Sequence, residues 1–178
     1  MDEKEIIKKI VQKNEQAFKE LYERTSAKTY YYLLGLLRDP QKAEDVMVDT
    51  YTEVWKSAHK FKGKSRLSTW IIGIARNLAM KEFSKTKVSM NTIESFEVVD
   101  MPVVVEFLEK KDLLNKVIEK LSPAHKEILD LVFFQEMSYK EISQILNIPV
   151  NTVKTRVFYA KEKLKQILNT MGIQKDDI

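Results

Sequence analysis

The chain has 178 residues, of which 44% are hydrophobic and 10% aromatic, and its formal net charge is +4. This length allows one compact domain or two small ones, and the hydrophobic and aromatic content argues against wholesale disorder. The chain contains no cysteine, which excludes disulfides, thiolate metal sites and a cysteine nucleophile. With 4 glycines and 4 prolines, it has too few turn residues for a sandwich or a barrel, and its many Lys, Glu, Leu and Ile residues favour helices.

The N-terminus and the hydropathy pattern predict a cytoplasmic protein. The first five residues, MDEKE, are charged, and no apolar segment of the kind that a secretory signal needs follows them. No stretch approaches the roughly 20 apolar residues of a membrane span. We therefore expect no direct insertion into a membrane.

Basic side chains concentrate in two places that are far apart in the sequence. Residues 56–85 hold eight basic residues against one acid, and residues 150–165 hold five against one. Two separate basic patches are typical of a protein that contacts a polyanion at two sites. The same pattern also fits two solvated lysine-rich faces, so charge alone leaves both interpretations open.

Capping signals predict where the first helices begin. Asp2 and Glu5 have capping-box spacing at the start of one helix, and Asn14 is suited to cap the next. Asp39-Pro40 combines an N-cap acid with proline at the first helical position, which predicts a third helix that runs to about residue 60.

A fourth helix is expected after the basic loop 61–67, which reads FKGKSRL. Ser68 or Thr69 is expected to cap this helix, which should reach about residue 84. Helical spacing places its buried face at Ile71, Ile72, Ala75, Leu78, Ala79 and Phe83. The other side holds Gly73, Arg76, Asn77 and Met80, so Asn77 is expected to be exposed.

The periodicity breaks down after residue 84, which predicts two domains. We interpret 85–104 as a linker between the domains 1–84 and 105–178. The second domain should begin with a helix that ends near residue 121, and Ser122-Pro123 should start another helix that ends near residue 134. The predicted fold class is all-α: two small helical domains joined by a flexible linker, the C-terminal one a helix-turn-helix.

Residues 138–163 carry the most specific local pattern. A short helix opened by a capping box at Ser138 and Glu141, a turn at 147–149 and a long second helix have the lengths of a helix-turn-helix. One stripe of the second helix is apolar and can pack on the first helix: Val150, Val153, Val157, Ala160, Leu164 and Ile167. The opposite face carries short polar side chains at its N-terminal end and basic side chains further on. Such a face suits insertion into the DNA major groove. A helical hairpin with a solvated face is the alternative.

Most candidate contacts to duplex DNA lie on that face: Asn151, Thr152, Lys154, Thr155, Arg156, Tyr159 and Lys161. Ser138, at the start of the first helix, completes the set. Phe158 lies among them and is also expected to be exposed, unless it or Tyr159 packs against the helix that ends near residue 121.

Three segments in this order resemble sigma factors of the extracytoplasmic-function group in the sigma-70 superfamily. Residues 39–55, DPQKAEDVMVDTYTEVW, resemble the helix that docks on the polymerase clamp, and residues 61–77, FKGKSRLSTWIIGIARN, resemble the segment that melts and reads the minus-ten element. Residues 121–164 resemble the minus-35 binding domain. The resemblance extends over 14–84 and 105–168.

The resemblance implies a function and a set of partners. It implies a protein that is not an enzyme, needs no cofactor and no metal, and directs core RNA polymerase to promoters. The expected partners are the clamp coiled coil and the flap of the polymerase, promoter DNA in duplex and single-stranded form, and an anti-sigma factor.

The resemblance also assigns roles to residues. The residues that it implies for docking on the polymerase are Asp45, Asp49, Glu53 and Trp55. Two of these, Asp45 and Asp49, lie four residues apart and so share a helix face. The residues that it implies for minus-ten recognition are Phe61, Lys62, Arg66, Ser68, Thr69, Trp70, Arg76 and Asn77. In this assignment the basic loop 61–67 accepts a flipped base. The minus-35 contacts coincide with the helix-turn-helix residues named above.

The chain departs from the family pattern at several positions. Val48-Asp49 stands where Gln and an acid are usual, and Tyr51 replaces the usual Phe. Lys81 and Ser84 occupy positions where Asp and Arg are common. Phe158-Tyr159 replaces a basic pair, so the minus-35 contacts should depend less on phosphate neutralisation.

Three other classes of function remain to be separated from this one. A stand-alone regulator would need only the helix-turn-helix, and would bind duplex DNA tightly without polymerase. A helical adaptor would tolerate charge reversal at Lys154 and Arg156. An enzyme has little support, because the chain has only His59 and His125 as histidines, no cysteine and no glycine-rich phosphate loop.

Overall fold

The computed structural model describes residues 2–86 and 117–172. Within these ranges every regular element is helical, which confirms the all-α prediction. The chain separates into two compact units, one within residues 1–97 and the other within residues 98–178. Nearly all of the predicted linker 85–104, and the predicted helix before residue 117, lie outside the described residues.

Residues 2–86 of the N-terminal unit form four α-helices, of which the third continues into a short 3-10 turn. They are α1 (Glu3–Val11), α2 (Glu15–Leu37), α3 (Pro40–Ser57) with the 3-10 turn Ala58–Lys60, and α4 (Leu67–Thr86). Three predicted caps are confirmed: the side chains of Asp2, Asn14 and Asp39 each accept a hydrogen bond from the backbone N–H three residues on, at 2.7, 2.9 and 3.1 Å. These bonds satisfy N–H groups that a helix start otherwise leaves without a partner.

The predicted cap of α4 is wrong. α4 begins at Leu67, and the Trp70 N–H donates to the Arg66 carbonyl at 3.2 Å, so Arg66 stands at the N-cap position. Ser68 and Thr69 therefore lie in the first turn of the helix. The carboxylate of Glu3, 64 residues away in the sequence, accepts the hydrogen bond of the Leu67 N–H at 2.9 Å.

The far end of α4 lies within two residues of its predicted position. The helix ends at Thr86, and in its last part the Ser84 hydroxyl donates to the Met80 carbonyl at 3.0 Å. Phe83, predicted to be buried, is 37% exposed because it lies one turn beyond Ala79, the last buried residue of α4.

One core cluster joins all four helices of the N-terminal unit. Its buried members are Ile6, Ile10, Ala17, Leu21, Tyr51, Val54, Ala58, Leu67 and Ile71. Burial of one such aliphatic side chain contributes about 1.5–3 kcal/mol. The N-terminal end of α4 and the end of α3 are thus held in the same core, which fixes the two ends of the loop between them.

The described part of the C-terminal unit begins with the last residues of a helix, 117–119, and continues with three α-helices and a π-helical turn. These are α5 (Pro123–Leu129), the π turn Asp130–Phe134, α6 (Tyr139–Leu146) and α7 (Val150–Thr170). The predicted helix from Pro123 to about residue 134 is confirmed in its extent, but its last turn is π-helical. There the Gln135 N–H donates to the carbonyl of Asp130, five residues back, at 3.0 Å.

The helix-turn-helix has the predicted caps. The Glu141 N–H donates to the Ser138 hydroxyl at 3.3 Å, and the Glu141 carboxylate accepts from the Ser138 N–H at 2.9 Å, which completes the capping box. Asn147 ends α6 in the left-handed conformation with φ 52°, which asparagine tolerates well.

Packing in the helix-turn-helix follows the predicted apolar stripe with one exception. Val153, Val157, Ala160 and Ile167 are buried, and Leu164 is half-buried. Val150, predicted to lie on the same stripe, is 36% exposed because it is the first residue of α7.

Candidate polymerase and nucleic-acid interfaces

An acidic stripe runs along the outer face of α3. Asp45, Asp49 and Glu53 follow at intervals of four residues on successive turns; the first two are exposed and Glu53 is half-buried. The Gln41 amide donates to the Asp45 carboxylate at 3.2 Å. Val48 lies beside the stripe and is 61% exposed. A surface of this kind suits a basic partner with an apolar contact at its centre.

Trp55 does not belong to the acidic stripe, although it is one of the predicted docking residues. Its half-buried ring packs edge-to-face on Phe18, with ring centroids 5.0 Å apart. The Lys13 ammonium lies 4.9 Å from the centre of the Trp55 ring and donates to the Trp55 carbonyl at 3.3 Å. Trp55 therefore anchors the end of α3 and presents only part of its ring to a partner.

The loop between α3 and α4 combines basic and aromatic side chains. Lys62, Lys64 and Arg66 are exposed, while the rings of Phe61 and Trp70 lie 5.3 Å apart at the edge of the core. Gly63 has φ +65°, a conformation in which a side chain is strained. Exposed cations beside partly open aromatic rings are the elements of a single-strand binding surface.

The remaining predicted contacts on α4 differ in their exposure. Asn77 is exposed, as predicted, and Ser68 and Arg76 are half-buried. Trp70 and Asn77 lie two turns apart on one face, about 10 Å along the helix axis. Thr69 is only 3% exposed, so its side chain has almost no surface to offer a nucleic acid, and we leave it out of the interface. The loop–α4 surface is defined here as Phe61, Lys62, Arg66, Ser68, Trp70, Arg76 and Asn77.

The exposed face of α7 presents the predicted recognition residues. Exposed are Asn151, Lys154, Thr155, Arg156, Tyr159 and Lys161, and Thr152 is half-buried. Ser138, at the start of α6, is exposed, but its hydroxyl already bonds the Glu141 carboxylate at 2.8 Å. We call these α7 residues the recognition face; its N-terminal end is polar and its later turns are basic.

Two exposed aromatic side chains were missed in the sequence. Phe133 and Phe134, at the end of the π turn, are 55% and 62% exposed, and the Lys161 ammonium lies 5.2 Å from the centre of the Phe133 ring. Phe158 and Tyr159 on α7 are each 60% exposed, with their rings 5.6 Å apart. No local pattern in the sequence marks these two phenylalanines as exposed, because consecutive apolar residues elsewhere in the chain, such as Ile71 and Ile72, are both buried.

Within residues 2–86 and 117–172, no group of three or more His, Asp or Glu side chains is arranged to hold a metal ion. No helix in these ranges is both long and apolar enough to cross a membrane.

Two family models match the chain in the order expected from the sequence. The model for sigma-70 region 2 matches residues 21–88, and the model for sigma-70 region 4 matches residues 111–164. The first match contains the acidic stripe and the loop–α4 surface, and the second contains the helix-turn-helix.

Curated relatives are similar over nearly their whole length. The RNA polymerase sigma factor SigM of Bacillus subtilis is 27% identical over 154 residues, which cover 84% of this chain and 94% of that protein. The sigma factor SigW of the same organism is 27% identical over 183 residues, covering 94% of this chain and 97% of that protein. Both are described as factors of the extracytoplasmic-function group.

A solved structure shows the same fold. The sigma factor RpoE of Bartonella quintana, crystallised with the anti-sigma factor NepR, superposes with a TM-score of 0.71 at 24% sequence identity, covering 85% of this chain and 96% of that one. Both sigma regions, the full-length relatives and the fold agree. The chain therefore belongs to the sigma-70 family, as an RNA polymerase sigma factor of the extracytoplasmic-function group that directs transcription initiation at promoters.

Proposed function

We propose that the two units divide the work of promoter recognition. The N-terminal domain, predicted as 1–84, docks on core RNA polymerase and opens the minus-ten element, and the C-terminal domain, 105–178, binds the minus-35 element, with 85–104 as the linker between them. The observation that carries this proposal is that the N-terminal unit bears an acidic stripe and a basic, aromatic surface, while the C-terminal unit bears a helix-turn-helix.

The acidic stripe is the proposed contact to the clamp coiled coil of the polymerase. Exposed carboxylates on successive turns set the rate of encounter and the register of a complex more than its raw affinity. Val48 supplies an apolar contact within that interface, and Trp55 supports it from the core. We assign the polymerase flap to the C-terminal unit, where Phe133 and Phe134 offer exposed aromatic surface.

The loop–α4 surface is the proposed site for the non-template strand of the minus-ten element. Unstacking DNA costs about 1.4 kcal/mol per base-pair step, and stacking one base on an aromatic side chain returns about 1–3 kcal/mol. The single pair Phe61 and Trp70 can therefore hold one or two bases open, with Asn77 reading a base by hydrogen bonds. The polymerase must supply the rest, so the free protein should bind promoters weakly.

The recognition face is the proposed minus-35 contact. The N-terminal residues Asn151 and Thr152 are placed to reach base edges in the major groove, and the basic residues Lys154, Arg156 and Lys161 to reach phosphates. Ser138, Thr155 and Tyr159 complete the predicted set. Because Tyr159 is uncharged, the salt dependence of binding should be shallower than with a basic residue there.

We infer that the protein acts by binding alone and carries out no reaction of its own. It would work in the cytoplasm, where the polymerase and the chromosome are. Since RpoE of Bartonella quintana was crystallised with an anti-sigma factor, we also propose a protein antagonist of this kind, which would cover the acidic stripe or the recognition face. Recovery of the native protein only with polymerase, under all growth conditions, would contradict this part of the proposal.

One experiment tests the proposal directly. Transcription in vitro with core polymerase on a random promoter library should yield templates with two shared elements, and mobility shifts on those templates should require the polymerase. Tight binding of duplex DNA by the free chain, with no initiation when polymerase is added, would instead identify a stand-alone regulator.

A further inference from the structure

The first helix of the chain lies outside the part that matches sigma-70 region 2, which begins at residue 21. α1 is nevertheless tied to the rest of the N-terminal unit, since Ile6 and Ile10 are 1% and 0% exposed and share a core cluster with Leu67 and Ile71 of α4. α1 also packs against the 3-10 turn that precedes the loop. The helix therefore contacts the segments on both sides of the loop 61–66.

Polar contacts fix the two ends of α1. At its start, the Glu3 carboxylate accepts the hydrogen bond of the Leu67 N–H at 2.9 Å. At the turn that follows it, Lys13, with φ 63°, donates to the Trp55 carbonyl near the end of α3 at 3.3 Å. One contact thus holds the start of α4 and the other holds the end of α3.

The side chain at the N-cap position of α4 cannot cap the helix. Arg66 stands at the N-cap position, and a guanidinium carries only hydrogen-bond donors, so it cannot accept from the N–H groups of the first turn. An uncapped helix start leaves those groups without a partner and tends to fray. The carboxylate of Glu3 supplies the missing acceptor, and its charge is favourable at the positive end of the helix dipole.

We propose that Glu3 is a positioning residue for promoter opening. By capping α4 from α1, it holds the first turn of the helix, and with it Trp70 against Phe61, in the arrangement that receives an unpaired base. This inference rests on the proposed role of the loop–α4 surface. It predicts that loss of the carboxylate impairs opening and spares both binding to the polymerase and binding to the minus-35 element.

The test uses the full chain with core polymerase on a promoter selected with the wild-type protein. The template is supplied as duplex and as a form with the minus-ten segment already mismatched and open. Loss of an N-cap typically costs a factor of about five, so Glu3→Ala should lower the rate of opening on duplex about fivefold and give wild-type initiation on the open template. Glu3→Gln, which keeps an oxygen acceptor, should recover part of the rate.

Controls separate positioning from other effects. Glu5→Ala removes a carboxylate from the same helix turn that forms an ion pair with half-buried Lys9 at 3.0 Å. This variant should open duplex at the wild-type rate. A defect of Glu3→Ala that is equal on both templates would show a loss of folded protein and overturn the proposal. So would equal rates for Glu3→Ala and wild type on duplex. If wild-type protein opens no template, the proposed function itself fails.

Discussion

Asp130 opens the π turn before the helix-turn-helix, and its carboxyl is largely withdrawn from water. Burial is the main cause that raises the pKa of Asp130 from 3.8 to about 6, against the stabilising hydrogen bond from the Gln135 amide. That amide donates to the Asp130 carboxyl at 3.3 Å, and the negative charge of Glu127 also raises the pKa. The folded protein therefore binds a proton at this site more tightly than the unfolded chain does.

The sign of the effect on stability follows from this difference. Below pH 3.8 Asp130 is protonated in both the folded and the unfolded state and does not lower the free energy of unfolding. Between pH 3.8 and 6 the unfolded chain ionises first, so the free energy of unfolding falls as the pH rises. Above pH 6 the loss is complete and amounts to as much as about 3 kcal/mol. Asp130→Asn, which is neutral and keeps an acceptor for Gln135, should stabilise the C-terminal unit by up to this amount at pH 7.5 and by little at pH 4.

The position of the tryptophans provides an internal control for this measurement. Both, Trp55 and Trp70, lie in the N-terminal unit, so their fluorescence during urea unfolding reports that unit alone. Hydrogen exchange of peptides from residues 123–170 reports the C-terminal unit. Asp130→Asn should slow exchange there at pH 7.5, after correction for intrinsic rates, and leave the fluorescence transition unchanged. Glu162→Gln, which removes an exposed carboxylate from α7, should do neither.

Two outcomes would refute the reasoning. If Asp130→Asn destabilised the C-terminal unit at pH 7.5, the carboxylate would be making a favourable interaction that outweighs its burial. If the stabilisation were the same at pH 4 and pH 7.5, it would not come from a shifted pKa.

Three further predictions concern the proposed interfaces. Asp45→Lys with Asp49→Lys should weaken binding to core polymerase at least tenfold, measured by fluorescence anisotropy, while Glu44→Lys on the same helix should have a small effect; an unchanged affinity of the double variant would remove the docking assignment. Asn77→Ala should slow promoter opening roughly tenfold without changing polymerase affinity. If both proteins opened every single-base variant of the minus-ten element at equal rates, Asn77 would read none of these bases. Arg156→Ala should weaken minus-35 binding by the holoenzyme and lower the slope of log K against log salt by about one; an unchanged slope would mean that Arg156 meets no phosphate.

Local sequence patterns predicted the elements whose determinants are local. The caps at Asp2, Asn14, Asp39 and Ser138 each join residues three positions apart, so a short stretch of sequence contains both partners. The same holds for the exposure of Asn77, which follows from helical spacing. The duplex-DNA contacts on α7 also followed from the local helix-turn-helix pattern. The docking and minus-ten assignments came instead from the resemblance to one family, and the structure adds which of these residues have accessible surface.

What the sequence could not provide were partners that lie far apart along the chain. The cap of α4 is a carboxylate 64 residues upstream, and serine and threonine at the expected position made a local cap the natural but wrong choice. Thr69 has a polar side chain and lies on the side of α4 away from Leu67 and Ile71, yet it is only 3% exposed, because α2 and α3 also pack against α4. Periodicity shows which face of a helix is more apolar than the others. How deeply the side chains of each face are buried depends on which other helices cover that face. For that reason the residues that position an interface are harder to find in a sequence than the residues that form it.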